Sequence, residues 1–247
     1  WSTGTIQGQE NYDRQPVVAG SFYPGNAETL HTQLQMLFQE VEDKTVDENI
    51  AAIIVPHAGY VYSGKVAASA YAKLDPEKSF SRVFLIGTSH HIYLNGASIY
   101  NQGNYLTPLG KVPVDHKLAR SLTIDNQLFK YVAGAHNQEH SIEVQLPFLQ
   151  YHLKKPFKIV PIIIGTQSAK TCSEIAEILK PWFTPENLFI ISSDFSHYPD
   201  YEHAVKNDRE TSLAILSNSP SRFIHSIQSN EEKNIPGLVT SCCGWSS

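Results

Sequence analysis

The chain has no apolar run approaching the roughly 20 residues that cross a bilayer, so a membrane-spanning role is not expected. It also lacks basic excess. Against 24 acidic residues stand 19 Lys and Arg, giving a formal net charge of -5 and a pI near 6.1. These basic residues are scattered singly, which excludes the footprint of a nucleic-acid binder or a polyanion-binding surface. Cysteine is scarce: Cys172, Cys242 and Cys243 make no disulfide framework, and a bridge between the adjacent Cys242 and Cys243 would be strained. Free thiols fit a reducing compartment, so a cytoplasmic location is expected. Several signatures are absent too. There is no G-x-x-x-x-G-K-[ST] or G-x-G-x-x-G phosphate cradle, no H-E-x-x-H and no C-x-x-C. No internal repeat, low-complexity tract or linker divides the chain.

What is present is enough apolar matter for one sizeable core: 41% of the 247 residues are hydrophobic and 11% aromatic. The opening "WSTGTIQGQENYDRQ" is polar and irregular. It reads as a trimmed or processed end, which leaves a removed signal segment open, and residues 1–13 are expected to be a disordered or tag-like tail. Four runs rich in β-branched residues follow: "IAAIIVP" (50–56), "RVFLIG" (82–87), "FKIVPIIIG" (157–165) and "NLFIISS" (187–193). Each is nearly all apolar without alternation, the pattern of parallel strands covered on both faces. Helical stretches lie between them. "AETLHTQLQMLFQEV" carries a candidate cap at Asn26. "GKVAASAYAKL" follows the first strand. "SIEVQLPFLQYHL" sets Ile142, Leu146, Leu149 and Leu153 on one stripe. "SAKTCSEIAEILKPWF" and "NDRETSLAILSN" flank the fourth strand. Strand alternating with helix predicts a single α/β domain over 14–247, a mostly parallel sheet flanked by helices. Its rhythm breaks in an antiparallel edge excursion near 97–115.

The chemistry sits where strands end. "AAIIV" runs into "PHAGYVYSG", "VFLIG" into "TSHH" and "LFIIS" into "SDFSHY", whereas "IIIGTQS" carries no evident ligand. The carboxyl ends of strands line the ligand crevice of an open α/β sheet. His57, His90, His91, Asp194 and His197 should therefore converge from distant parts of the chain. Taken singly, each is more often an ordinary hydrogen-bonded loop residue; taken jointly, they read as a functional site. His31, His116, His136, His152, His203 and His225 have no such context and are read as structural or solvated. In "QEHSIEVQLPF" (138–148), His140 and Glu143 lie three apart, and Glu139 and Glu143 four apart, so either pair shares a helix face if the first turn has begun. A His-x-x-Glu pair can bind metal, act as acid and base, or form a local salt bridge. Ser141 is an alternative cap. Cys172, in an amphipathic helix, reads as a small buried hydrophobe, and Cys243, before a glycine, stays open. "GTSHH" lacks the second glycine of a nucleophile elbow. Ser193 and Asp194 are neighbours that point to opposite sides of an extended chain. A serine triad is thus disfavoured and a metal site remains. Nitrogen and sulfur ligands suit iron, copper or zinc, with Asp194 and His197 orienting ligands or moving protons.

"VAGSFYP", "VPHAGYVYSG", "IGTSHH", "EHSIEVQLPF", "SSDFSHY" and "CCG" occur in the order seen in the Memo-like family, and the resemblance runs from about Arg14 to Gly244. It implies the fold of the LigB-type extradiol dioxygenases. It also implies iron or copper, with zinc less favoured, held by His57, His90 and Cys243. Asp194 and His197 would share the pocket, and Phe22 and Tyr62 would line it. Phe22 stands where the animal protein has tryptophan, so an aromatic wall is kept without an indole N–H. Family members continue beyond the Cys-Gly pair, which implies that this chain stops short of the usual end; were it complete, one side of the sheet would lack cover.

The resemblance therefore implies a metal-dependent redox protein, related to ring-cleaving dioxygenases but with a thiolate in place of their carboxylate ligand. By family analogy it would act with radical-SAM and AMMECR1-like partners. Two other readings compete. A binding module would use the same aromatic- and histidine-lined pocket for a peptide or small molecule. A hydrolase would activate a metal-bound water through His140 and Glu143 or Asp194.

Overall fold

A computed structural model describes residues 13–247; the expected tail lies, but for Asp13, outside the described residues. In chain order the elements are α1 (Ala27–Gln39), β1 (Ala52–Val55), α2 (Tyr60–Tyr71), β2 (Arg82–Thr88), β3 (Ala97–Ile99), β4 (Tyr105–Thr107), β5 (Gly110–Val112), α3 (His116–Asp125), β6 (Phe129–Lys130), α4 (Ala133–His136), α5 (Leu146–His152), β7 (Ile159–Ile164), α6 (Ala169–Leu179), β8 (Asn187–Ser192), α7 (Tyr201–Leu216) and α8 (Pro220–Glu232). The four apolar runs became β1, β2, β7 and β8. They pair in the order β1-β8-β2-β7, all parallel, and β3 and β6 extend the sheet beyond β7. β3 runs antiparallel to β7 and β4–β5 form a separate antiparallel hairpin, which is the expected break near 97–115. Gly110 opens the second hairpin strand at φ 116°, a conformation that costs other residues.

The core follows the sequence pattern. Val83, Phe84 and Leu85 of β2 are at most 1% exposed, and full burial of each stabilises by roughly 1.5–3 kcal/mol. Asn26 caps α1, its side chain accepting from the backbone N–H of Glu28 and Thr29. The stripe Ile142, Leu146, Leu149 and Leu153 is wholly buried. Its segment is not one continuous α-helix, however. A 3-10 turn spans Glu143–Gln145 and α5 starts at Leu146 with Pro147 in its first turn, where a missing N–H is harmless. β1 departs from expectation as well. It lies at the sheet edge and alternates, with Ile54 41% exposed. Ile54, Ile86, Ile164 and Ile191 front an apolar groove of about 660 Å³ beside α6.

His136, read as structural, is 1% exposed and fixed by Ser98 Oγ at Nε2 (2.9 Å) and Tyr105 OH at Nδ1 (3.2 Å). Burial, with the nearby Arg14 charge, drops its pKa to about 3. Between pH 6.5 and 3 the unfolded chain therefore binds a proton that the folded chain refuses, so stability falls as pH is lowered through that window. His136→Gln should flatten that slope in urea unfolding at pH 7, 5 and 4. An unchanged pH dependence would contradict a buried neutral ring.

Candidate metal centre

β1, β8 and β2 are adjacent and parallel, with strands about 4.8 Å apart, so the residues that follow them emerge side by side. His57 follows β1, Asp194 follows β8 and His90 follows β2. Gly87, near the end of β2, lets the loop carrying His140 approach, since a Cβ there would stand 2.5 Å from Ser141 Oγ. The C-terminal stretch closes the fourth side. Val239 N donates to His197 O, Cys243 N to Asp194 O and Gly244 N to Ser193 Oγ. Gly244 is required by this docking, because an added Cβ would lie 2.6 Å from Ser193 Cβ and 2.8 Å from Ser192 O.

Five side chains meet. The ligand atoms of His57, His90 and His140 lie within 4.8 Å of one another, and so do those of His57, Asp194 and Cys243. His57 belongs to both trios, while His90 and Cys243 fall in different ones. The His57 ring stands nearly perpendicular to His90 (85°) and to His140 (87°), whereas His90 and His140 stack at 4.6 Å. Phe22 packs its ring edge-on against His140 at 4.9 Å.

Hydrogen bonds fix which ring nitrogens are bare. Ser192 Oγ donates to Ser141 O (2.6 Å) and accepts from Gln145 Nε2 (2.9 Å), so His57 Nδ1, 3.0 Å away, must be the donor. That leaves the lone pair of His57 Nε2 facing the Cys243 thiol at 3.2 Å. At His90 the partner of Nδ1 is Glu139 Oε1 at 2.9 Å, and a carboxylate only accepts. Burial works against ionising Glu139, but its hydrogen bonds to His90 and the backbone N–H groups of His90 and Ser141 hold its pKa at about 2. His90 in turn is raised: burial lowers it, and the Glu139 hydrogen bond and charge outweigh that. Burial drops His57 to about 4 and also lowers His140, so both rings are neutral donors at pH 7. Burial, then the Asp194 charge, pushes the Cys243 thiol up to about 12; an ion would have to displace that proton.

The other sequence candidates are placed as follows. Asp194 Oδ1 accepts from His57 N at 2.7 Å, and its Oδ2 is 3.8 Å from His57 Nε2 and 3.9 Å from His197 Nε2. His91 is exposed, with Nε2 3.0 Å from Gln138 O. With His90, Tyr93, Gln167 and Cys243 it lines a cavity of about 270 Å³. Tyr62 is 86% exposed in the first turn of α2. Glu143 is not brought to the cluster as half of a His-x-x-Glu pair. It accepts from Arg14 Nη1 (2.7 Å), Tyr23 OH (2.6 Å) and the backbone N–H groups of Val17 and Val18. The physical reason is an unpaired buried cation: Arg14 needs a carboxylate more than the site does. Glu139, named from sequence only as a possible partner of Glu143 on a helix face, is the carboxylate that reaches the imidazoles. Its signal was local, an acid immediately before His140, but its contact with His90 spans 49 residues.

A family model described as Memo-like protein matches residues 14–244. The chain belongs to the Memo-like family. It is 39% identical over 207 residues to a MEMO1 family protein of Methanosarcina barkeri, covering 83% of this chain and 75% of that one. A MEMO1 family protein of Thermoplasma acidophilum is 35% identical over 233 residues, covering 94% and 82%. One of Sulfurisphaera tokodaii is 36% identical over 217 residues, covering 83% and 76%. The matched region of this Memo-like chain contains every residue of both trios. Among its described residues no helix is long and apolar enough to cross a membrane.

Proposed function

We propose that this Memo-like protein is a metal-dependent redox protein that holds iron or copper with His57, His90 and Cys243 as its first candidates for ligands. The observation that carries this reading is the tautomer pattern. Two imidazoles, the buried His57 and the more exposed His90, are each anchored through Nδ1, to Ser192 and to Glu139, which leaves Nε2 as the nitrogen available to an ion. Histidine ligands are commonly oriented in this way through the second nitrogen. The donor set fits: imidazole and thiolate suit iron and copper better than magnesium or calcium. When bound, such an ion would supply one-electron chemistry and a Lewis-acid position.

The chain's own residues do the rest. Glu139 keeps the His90 lone pair inward, and Ser192 does the same for His57. Asp194, between His57 and His197, is placed to hold or pass a proton at Oδ2. Phe22 shields the His140 side from water. A substrate would enter through the cavity beside His90 and Cys243, whose 270 Å³ limits it to a small molecule. Hydrolysis loses one of its candidate bases, because Glu143 is committed to Arg14 and Tyr23.

The reading is tested by elemental analysis and electron paramagnetic resonance of protein purified without oxygen. About one equivalent of iron or copper is expected, with iron occupancy reduced in His90→Ala and copper occupancy reduced in Cys243→Ala. Metal-free wild-type protein that takes up neither ion on reconstitution would refute it. Peptide binding that survives chelation would favour a binding module in its place.

A further inference from the structure

We propose that His140 completes an all-imidazole ion position with His57 and His90, alternative to a position that includes Cys243. This rests on the metal reading above and divides it in two. Glu139 Oε1 lies 2.9 Å from His90 Nδ1 and 3.6 Å from His140 Nδ1. The two rings are stacked within 21° of parallel. Two such rings with Nδ1 toward one carboxylate send their Nε2 atoms the same way. His57, standing across them, supplies the third nitrogen.

The loop that carries His140 is built to stay in place. Its own N–H and that of Ser141 donate to Glu139 Oε1. Arg14 Nη2 donates to Glu139 O, and Phe22 backs the imidazole. The second position has a different character: His57, Asp194 and Cys243 offer one nitrogen, one oxygen and one sulfur. Each position needs the lone pair on His57 Nε2, and there is only one. The two positions therefore exclude each other, and a single ion must choose. Thiolate selects soft ions such as Cu(I), whereas imidazole suits iron and its divalent neighbours. Metal identity thus selects the position.

The test titrates metal-free protein anaerobically with Co(II), a spectroscopic stand-in for Fe(II), and separately with Cu(I) against a colorimetric chelator. Wild type should bind Co(II) without a sulfur-to-cobalt charge-transfer band. His140→Ala should weaken Co(II) by more than about tenfold, and Cys243→Ser by less than about threefold. For Cu(I) the order should invert, and normal Cu(I) binding by His140→Ala shows that the variant is folded. His140→Phe, which keeps an aromatic ring against Phe22, should behave as His140→Ala does. A sulfur-to-cobalt band in wild type that vanishes in Cys243→Ser, with His140→Ala unchanged, would overturn the proposal and leave metal binding standing. Equal loss of both ions in both His140 variants would also overturn it. Failure of wild type to bind either ion would overturn the metal reading as well.

Discussion

Glu143→Ala is expected to destabilise the fold by about 3–5 kcal/mol, the usual cost of stranding a buried charge. Glu143 is wholly buried and its Arg14 partner's side chain is 4% exposed. Removing the carboxylate unpairs more than a guanidinium. Tyr23 OH and the N–H groups of Val17 and Val18 lose their acceptor too. Glu143→Gln should cost less, since an amide oxygen still accepts. The contrasting control is Glu177→Ala. Its pair with Lys180 spans 3.1 Å between side chains more than two-thirds exposed, and such pairs contribute about 0–1 kcal/mol. Urea unfolding at pH 7 distinguishes them. A loss below about 1 kcal/mol for Glu143→Ala would mean that solvent reaches Arg14 and that the network is not a structural necessity.

The second large effect concerns His57. It is the one residue common to both trios, so His57→Ala should abolish uptake of iron and copper alike. The loss should exceed the roughly 10–100-fold typical of changes to residues that merely orient a ligand. Ser192→Ala supplies that milder comparison, because it frees the His57 ring without deleting it. Calorimetric titration of metal-free protein with each ion would measure both variants. Wild-type affinity for either ion in His57→Ala would show that the cluster is organised around another donor.

Much of the fold was legible because its central strands are unbroken apolar runs. β2, β7 and β8 begin and end within about two residues of the sequence reading. The convergence of His57, His90 and Asp194 was legible too, since a parallel sheet sends consecutive strand ends to one edge. α8 was missed although Ser219 caps it and Pro220 occupies its first turn, a start signal that its weakly apolar sequence does not reinforce. The Glu139 and Glu143 roles were not separable in sequence. Both sit near His140, and only the tertiary position of Arg14, more than 120 residues away, decides which one turns from the imidazoles. The role of Ser192, at the start of the strand-end "SSDFSHY", was not legible for a similar reason: a hydroxyl at a strand end carries no sign that it will set a tautomer.

The centre draws on residues near positions 57, 90, 140, 194 and 243, so no contiguous fragment owns it. An ion here cannot act as the seed crystal around which the polypeptide organises, as happens in the smallest zinc modules. It would arrive when assembly is finished. Under the proposed metal reading, uptake would therefore be a stopwatch for the last step of refolding, and a nicked or permuted chain that recovered it would have rebuilt the whole sheet.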